Sequence, residues 1–506
     1  MAKKGKYSGG ADSSGSLVKG LIVVMGILVL FSLGLRLVIG SAGSGQPQLE
    51  ATTVPTVEEP VTLPSIPEDT QPEKQSLWNR LFGSKKSEVT TQPEETEASE
   101  ATGVVAQATI AVTGDILMHL PVTNTGLRSD GTYNFDSIFQ YLTPYSSAAD
   151  YSVANLETTL AGSDMGYKYS GHPAFNTPDA IVDALKNAGF DMLLTANNHC
   201  YDTSEYGFLR TIKTVKSKGL TPLGTRENAA DPAYSVQNIG GIQVGMVCYS
   251  YEGQPENPTP GVVYMNQNAS PATKWACCCW ITSAQAASLI NAFIPTNLEP
   301  FYQQVRQQLA QMKLAGAEAT VMFIHWGDEY QTSPNAIQQE IAQQLCDMGF
   351  DVIVGGHPHV IQPVQLLSSR TNPDHKTVCV YSTGNAVSNQ RIAEMNLKTG
   401  HTEDGMLFSF TLNKYADGTV ELEDANILPC WVDLRTTNGK QYVIIPLDAA
   451  LQSQWQTTFG LTDEAYENAI KSYDRTQALV GTGIAQVQEY LAGQKQQREG
   501  TSLAAA

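Results

Sequence analysis

From residue 108 onward short apolar runs recur along the chain, and five of them end abruptly in Asp, Glu, Asn or His. The runs lie at 108–113, 150–154, 190–195, 243–249, 319–324, 351–354 and 377–381, and stretches with helical periodicity lie between them at 178–188, 204–218 and 335–348. Short runs of β-branched and aliphatic residues alternating with amphipathic helices specify an α/β fold, with helices packed on a sheet. In such a sheet the carboxyl ends of parallel strands open onto a common crevice. Residues 406–413 and 419–427 read as a late antiparallel pair, 463–493 as a helix on the outside, and 251–300 as an irregular insertion.

The polar run-ends form five clusters. Gly114-Asp115 follows the first run, with His119 four residues on; Asn155-Leu156-Glu157 follows the second. Asn197-Asn198-His199 follows the third, with Asp202 close behind. His325-Trp326-Gly327-Asp328-Glu329 and Gly355-Gly356-His357-Pro358-His359 complete the set. A single histidine or aspartate at a strand end is commonly a turn or cap residue. Five strands ending in the same chemistry point instead to one shared polar site. Carboxylates, amides and imidazoles without thiolates form the ligand set of a divalent ion such as Mn, Fe or Zn. Two such ions bridged by a carboxylate acidify water and clamp an oxyanion, as ester hydrolysis requires. His172, His375 and His401 stand outside the clusters and read as structural or solvated, while the aim of His119 stays open.

The N-terminal fifth has a different character. Leu17–Ile39 is almost uncharged and apolar. As a helix it would be about 34 Å long, enough to cross a bilayer core of ~30 Å. Lysines precede the span and none follows within residues 41–60, which places the N-terminus inside and the rest outside. The reading is an uncleaved single-pass signal anchor, with a cleaved signal peptide as the rival. Residues 40–106 are rich in Thr, Pro, Glu and Ser and read as a disordered stalk, apart from a small patch around Trp78. The organisation is therefore a basic tail 1–16, a membrane helix 17–39, a linker 40–106, a globular domain 107–450 containing the 251–300 insertion, and a C-terminal helical extension and tail 451–506. A net charge of −19, from 31 basic and 50 acidic residues, excludes a nucleic-acid binder that works by phosphate neutralisation. Of the eight cysteines, Cys248, Cys346 and Cys379 fall in apolar patterns and read as buried hydrophobes. The adjacent Cys277, Cys278 and Cys279 lack the spacing of a zinc knuckle and leave a disulfide open.

Over residues 108–390 the chain resembles the CapA/PgsA-type capsule and poly-γ-glutamate synthesis proteins, relatives of the calcineurin-like metallophosphoesterases. The resemblance rests on the order and spacing of GDILM, ANLE, FDMLLTANNHCYD, HWGDEY, GGHPHVIQPV and YSTGNAVSNQ. It implies a four-layer αββα metallophosphatase-like sandwich. Carried over by position, Asp115 matches the first metal aspartate, and Asn155 and Glu157 occupy the bridging block, with Glu157 preferred as the bridge. Asn198, His325, His357 and His359 match metal ligands. His199 matches the residue that contacts phosphate or protonates the leaving group, and Asp202 would orient it. Two departures stand out: Leu117 replaces the histidine of an Asp-x-His opening, and Asn-x-Glu replaces Gly-Asp.

The resemblance implies a membrane-anchored outer protein in the synthesis, export or anchoring of an anionic capsular polymer. Its partners would be the polymer and membrane subunits of a synthesis complex, with two divalent ions supporting hydrolysis or transfer in the manner of a metallophosphoesterase. The alternatives are a non-catalytic polymer-binding or assembly subunit and a secreted phosphoesterase.

Overall fold

The structure, a computed structural model, describes residues 103–253, 261–265, 280–436 and 439–505. The expected membrane helix 17–39, nearly all of the linker 40–106 and Cys277–Cys279 lie outside the described residues. Among the described residues no helix is long and apolar enough to cross a membrane.

The chain forms a mixed α/β sandwich of two sheets. In chain order the strands are β1 (Val104–Ile116), β2 (Tyr151–Leu156), β3 (Met192–Leu194), β4 (Thr221–Leu223), β5 (Ser235–Ile239), β6 (Ile242–Tyr251), β7 (Tyr264–Met265), β8 (Trp280–Ile281), β9 (Ala292–Phe293), β10 (Ala319–His325), β11 (Val352–Gly356), β12 (Ile361–Ser368), β13 (Lys376–Thr383), β14 (Asn385–Val387), β15 (Asp404–Tyr415), β16 (Val420–Arg435) and β17 (Gln441–Pro446). The first sheet runs β17-β16-β15-β1-β2-β3-β4 with β14 beside β1; the second runs β12-β13-β11-β10-β6-β5 with β9 beside β6. β1 through β4 are mutually parallel, as are β6, β10, β11 and β13. The late pair is β15 and β16, antiparallel as its alternation predicts. β1 starts at Val104, inside the stretch read as linker, because its first residues pair with Tyr415 and Lys414 of β15. Part of the 251–300 insertion is also regular: β9 joins the second sheet beside Ser250 and Tyr251.

Five longer helices flank the sheets: α1 (Ala180–Asn187), α2 (Ser204–Ser217), α3 (Glu299–Leu314), α4 (Ala336–Met348) and α5 (Asp463–Ala505). Both faces of each sheet are buried, so alternate residues of a strand enter different cores. Ile110, Val112, Val321, Phe323, Val352 and Val354 meet between the sheets. Their neighbours Ala111 and Ala154 face Ile138, Phe139, Ile181 and Leu185 on one outer side. Met322, Ile324 and Ile353 face Phe301, Val305, Ile341 and Leu345 of α3 and α4 on the other. α4 starts on a reciprocal cap between Asn335 and Gln338 and stops at Gly349 in the left-handed region. α5 runs past the predicted end at 493; its Val480, Val487 and Leu491 close one side of the inter-sheet core.

Candidate metal centre

All five polar clusters reach one end of the sandwich, and they come from both sheets. Asp115, Asn155 and Glu157 stand at the carboxyl ends of β1 and β2, and Asn197–His199 follows β3. His325 ends β10, and His357 and His359 follow β11 in the second sheet. The crevice thus lies between two sheets, where strand pattern alone suggested the edge of one. A shift of register in β1 beside β2, between Thr113 and Asp115, turns the Asp115 carboxylate inward. Gly114 is required there: a Cβ on it would lie 1.9 Å from the Gly384 carbonyl oxygen.

The ligand-type atoms form two groups that share Glu157. Glu157, His325 and His357 make one, and Asp115, Glu157 and His359 the other, each with its atoms within 4.8 Å of one another. Glu157 Oε1 lies 3.6 Å from His325 Nε2 and 3.8 Å from His359 Nε2. Asp115 Oδ2 lies 3.2 Å from His359 Nδ1 and accepts the His357 backbone N–H at 3.3 Å. All of these side chains are buried. Asn198 is drawn in by a 2.9 Å contact from its Oδ1 to His325 Nε2. Asn155 lies in the cluster with its amide engaged: Nδ2 donates to Asp115 Oδ1 at 2.7 Å, and Oδ1 accepts from Asn197 Nδ2 at 3.1 Å. Asn155 therefore fixes the Asp115 carboxylate, and Asn197 fixes Asn155.

These residues fit a cation on two observations. Glu157 Oε1 and His357 Nδ1 are buried without a hydrogen-bond partner, which protein interiors rarely tolerate. The electrostatics also ask for positive charge. Burial, then the Asp115 charge, pushes the Glu157 carboxyl well above its usual range. Burial and the neighbouring imidazoles hold His325 and His357 well below theirs, so both rings are neutral and keep lone pairs for a ligand. Burial opposes a proton on His359, yet the bond and charge of Asp115 outweigh it and raise that ring.

His199 faces the same space with its orientation set. Its Nδ1 lies 2.7 Å from Asp202 Oδ2, and the same oxygen accepts the Phe175 backbone N–H at 2.7 Å. The free Nε2 is left for proton transfer. The Phe175 ring stands edge-on between His199 and His119. Tyr251, missed in the sequence because it lies inside an apolar strand, covers His325 and His357 with ring centroids 6.2 and 4.6 Å away.

Four other histidines divide. His119 is outside the ligand groups; its Nδ1 accepts the Asn389 backbone N–H at 3.2 Å, and burial holds its pKa near 3. His172, read as structural or solvated, is exposed and outside the ligand groups. His375 bonds the Phe350 carbonyl, and His401 lies 3.8 Å from Asp404, both away from the ligand groups. Leu117, at the position of the expected histidine, is buried, and its N–H donates to Val387. Cys200, Cys248, Cys346, Cys379 and Cys430 are free and buried.

Asn385, in the YSTGNAVSNQ block, had no role from sequence. Its Oδ1 meets His359 Nδ1 at 3.1 Å, and its Nδ2 donates to the His359, Thr402 and Gln390 oxygens.

Comparison with known proteins places this geometry. Residues 109–390, more than half of the chain, match the family model described as bacterial capsule synthesis protein PGA_cap. The chain is 27% identical over 322 residues to the capsule biosynthesis protein CapA of Bacillus anthracis, covering 63% of this chain and 67% of that protein. It is 27% identical over 299 residues to the PGA biosynthesis protein CapA of Bacillus subtilis strain 168, covering 58% of this chain and 65% of that one. The chain thus spans about two thirds of the length of the curated relatives it matches.

Proposed function

The chain belongs to the bacterial capsule synthesis family PGA_cap, and from that premise we propose that it works in the synthesis, export or anchoring of a capsular anionic polymer, poly-γ-glutamate. In this reading residues 17–39 anchor it in the cell membrane beside the membrane subunits of the synthesis complex, with the globular domain outside. The two-sheet core flanked by helices is read as the four-layer αββα metallophosphatase-like sandwich.

The observation that carries a chemical role is the buried pair of ligand groups sharing Glu157, with two polar atoms left unpartnered. Asp115, Glu157, His325, His357 and His359 would hold divalent ions, with Asn198 beside His325. Such ions would supply Lewis-acid polarisation of a phosphoryl or amide carbonyl oxygen. His199, held through Nδ1 by Asp202, presents Nε2 to a leaving group as general acid. Phe175 and Tyr251 keep bulk water from the imidazoles they cover. A second reading, a polymer-binding or assembly subunit without turnover, is favoured by Leu117, which occupies the place of a ligand histidine.

The test is metal content by mass spectrometry on purified protein, paired with capsule assay of a strain carrying His357→Ala. About two ions per chain in the wild type, fewer in the variant, and loss of surface polymer support the catalytic reading. Metal binding without turnover of any ester or amide supports the assembly reading. Unchanged polymer in the variant strain removes the centre from capsule formation.

A further inference from the structure

A groove of about 890 Å³ lies between α3 and the two loops that lead into β5 and β9, at 226–234 and 287–291. Its size is that of a ligand site. One wall is a face of α3. Gln304, Gln307, Gln308 and Gln311 line it at the spacing i, i+3, i+4, i+7, which sets four amides on one stripe that climbs about 5.4 Å per turn. Gln307 and Gln311 are exposed, and Gln304 accepts the Tyr249 hydroxyl at 3.4 Å through its Oε1 alone. Gln308 beneath them is 8% exposed, and its Oε1 has no hydrogen-bond partner, an uncompensated acceptor of the kind that native interiors seldom keep.

Arg226 stands on the opposite wall with its plane fixed. Nη1 donates to Asn291 Oδ1 and Nη2 to the Ser288 carbonyl, both at 2.7 Å. Asn291 is held in turn, its Nδ2 donating to the Ala233 and Cys248 carbonyls at 2.7 and 3.1 Å. Both acceptors of the guanidinium are neutral, and among the described residues it forms no ion pair. The acids nearby are engaged elsewhere: Glu227 pairs with Lys216 at 2.8 Å, and Asp231 accepts the Asn228 N–H at 3.1 Å. Arg226 Nε is buried without a partner, while Nη1 and Nη2 each keep a second N–H. Burial lowers the Arg226 pKa, as befits a half-buried cation that lacks a counter-ion.

These features select a ligand. On a chain of net charge −19, an oriented and unpaired guanidinium at a groove calls for an anion, and its fork suits a carboxylate. Glutamine side chains both donate and accept, as peptide amides do, so the stripe on α3 complements a chain that carries amides of its own. Asn291 also joins the groove to the strands of the metal centre. Its carbonyl accepts the Ser250 N–H at 3.0 Å, and Ser250 lies opposite His325 in the pairing of β6 with β10.

We propose that this groove binds a carboxylate-bearing polyamide chain, with Arg226 taking a carboxylate and Gln304, Gln307 and Gln311 bonding its amides. This is a holding site apart from the ligand groups. It goes beyond the proposed function and rests on it only for the identity of the chain, a γ-linked polyglutamate.

The test is calorimetric binding of penta-γ-glutamate and of its methyl ester to the full-length protein in chelator, which keeps ions out of the centre. The wild type is expected to prefer the free acid about tenfold, the scale of a hydrogen bond to a charged group. Arg226→Gln loses that preference, and Arg226→Lys, which keeps the charge, retains part of it. Gln307→Glu and Gln311→Glu put an acid at exposed positions of α3 and should each weaken the free acid by about fivefold. His357→Ala binds as the wild type does. The proposal is overturned if the wild type does not distinguish acid from ester, if a folded Arg226→Gln keeps the preference, or if His357→Ala abolishes it. Should Arg226→Gln fail to fold, unchanged affinity in both α3 variants overturns the proposal in its place. Penta-α-glutamate bound as tightly as the γ-linked chain, with the same dependence on Arg226, keeps the groove and removes the γ-linked polymer instead.

Discussion

Replacing Glu157 with Gln separates a residue that serves the fold from one that serves a cation, because the two roles give opposite signs. Glu157 is fully buried, Oε1 has no partner, and Asp115 shares its pocket. A buried acceptor left unpaired costs about 1–3 kcal/mol. In Glu157→Gln the amide oxygen can take the place of Oε2, which Asn155 Nδ2 approaches at 3.5 Å. The new NH₂ lies 3.6 Å from His325 Nε2 and 3.8 Å from His359 Nε2, beyond hydrogen-bond reach, and gains no bond there. What the variant removes is the penalty of a carboxyl that burial and the Asp115 charge force to hold a proton well above its usual range. Chelator-treated Glu157→Gln should therefore be more stable than wild type by about 1–3 kcal/mol at neutral pH, a rise in melting temperature of roughly 2–6 °C if about 2 °C accompanies each kcal/mol in a large domain. Mn²⁺ reverses the order. At a thousandfold excess over its dissociation constant, an ion that binds only the folded state adds about 4 kcal/mol to the wild type. The variant, without the shared carboxylate, should gain far less. Thermal unfolding of both proteins with chelator and with Mn²⁺ gives the four numbers needed. A Glu157→Gln protein that is less stable in chelator, or that responds to Mn²⁺ as the wild type does, would refute the assignment of Glu157 as the shared ligand.

Asn385→Ala removes the acceptor of His359 Nδ1 and three donor contacts, and Mn²⁺ affinity measured by calorimetry should fall by about 10–100-fold, as when other partners of ligand histidines are lost. Arg475→Met strips the paired cation from buried Asp404, which Ser472 and Arg475 tie to α5, and denaturant unfolding should show a loss of about 3–5 kcal/mol; Asp404→Asn in the same background should recover part of it. Burial pushes Glu252 up to about 7, so its protonated form favours the fold: that stability is fully present below the unfolded value near 4.5 and is lost as pH rises through 7. Against Glu252→Gln, wild-type stability should therefore drop by up to about 3 kcal/mol between pH 4.5 and pH 8, and a flat difference would contradict the burial. Gly483→Ala places a Cβ 1.9 Å from the Val364 carbonyl oxygen, so α5 must lift from β12 and the melting temperature should fall.

The gathering of candidate ligands at one end of the sandwich was legible in the sequence. Asp115, Glu157, Asn198, His199, His325, His357 and His359 each sit at or just after the end of an apolar run, and period-two strands with both faces buried make such ends conspicuous. The division into two sheets was not legible, because β2 and β11 carry the same pattern while pairing in different sheets. What surrounds the ligands was hidden for a related reason. Tyr251 reads as one more aromatic of an apolar strand, and only the packing of β6 beside β10 sets it over His325. Asn385 and Gln390 lie in a polar loop whose value appears once β13 and β14 bring it against His359 and Tyr330.

The distribution of unfavourable features argues that this end of the sandwich is built for occupancy. Fold stability alone would favour apolar or fully paired groups in a space this enclosed. Instead the chain buries Asp115 and Glu157 together, leaves Glu157 Oε1 and His357 Nδ1 without partners, and holds His357, His359 and Tyr330 in left-handed backbone. Each feature carries a cost, and they fall within one cluster of contacts. At the opposite end, Asp351, just before β11, is half-buried and accepts the Thr320 N–H at 2.7 Å and the Thr320 hydroxyl at 3.1 Å. One aspartate is thus satisfied by Thr320 of the neighbouring strand, while Asp115 is buried against a second carboxylate. A positive charge between Asp115 and Glu157 would offset the repulsion and occupy the open valences of Glu157 and His357.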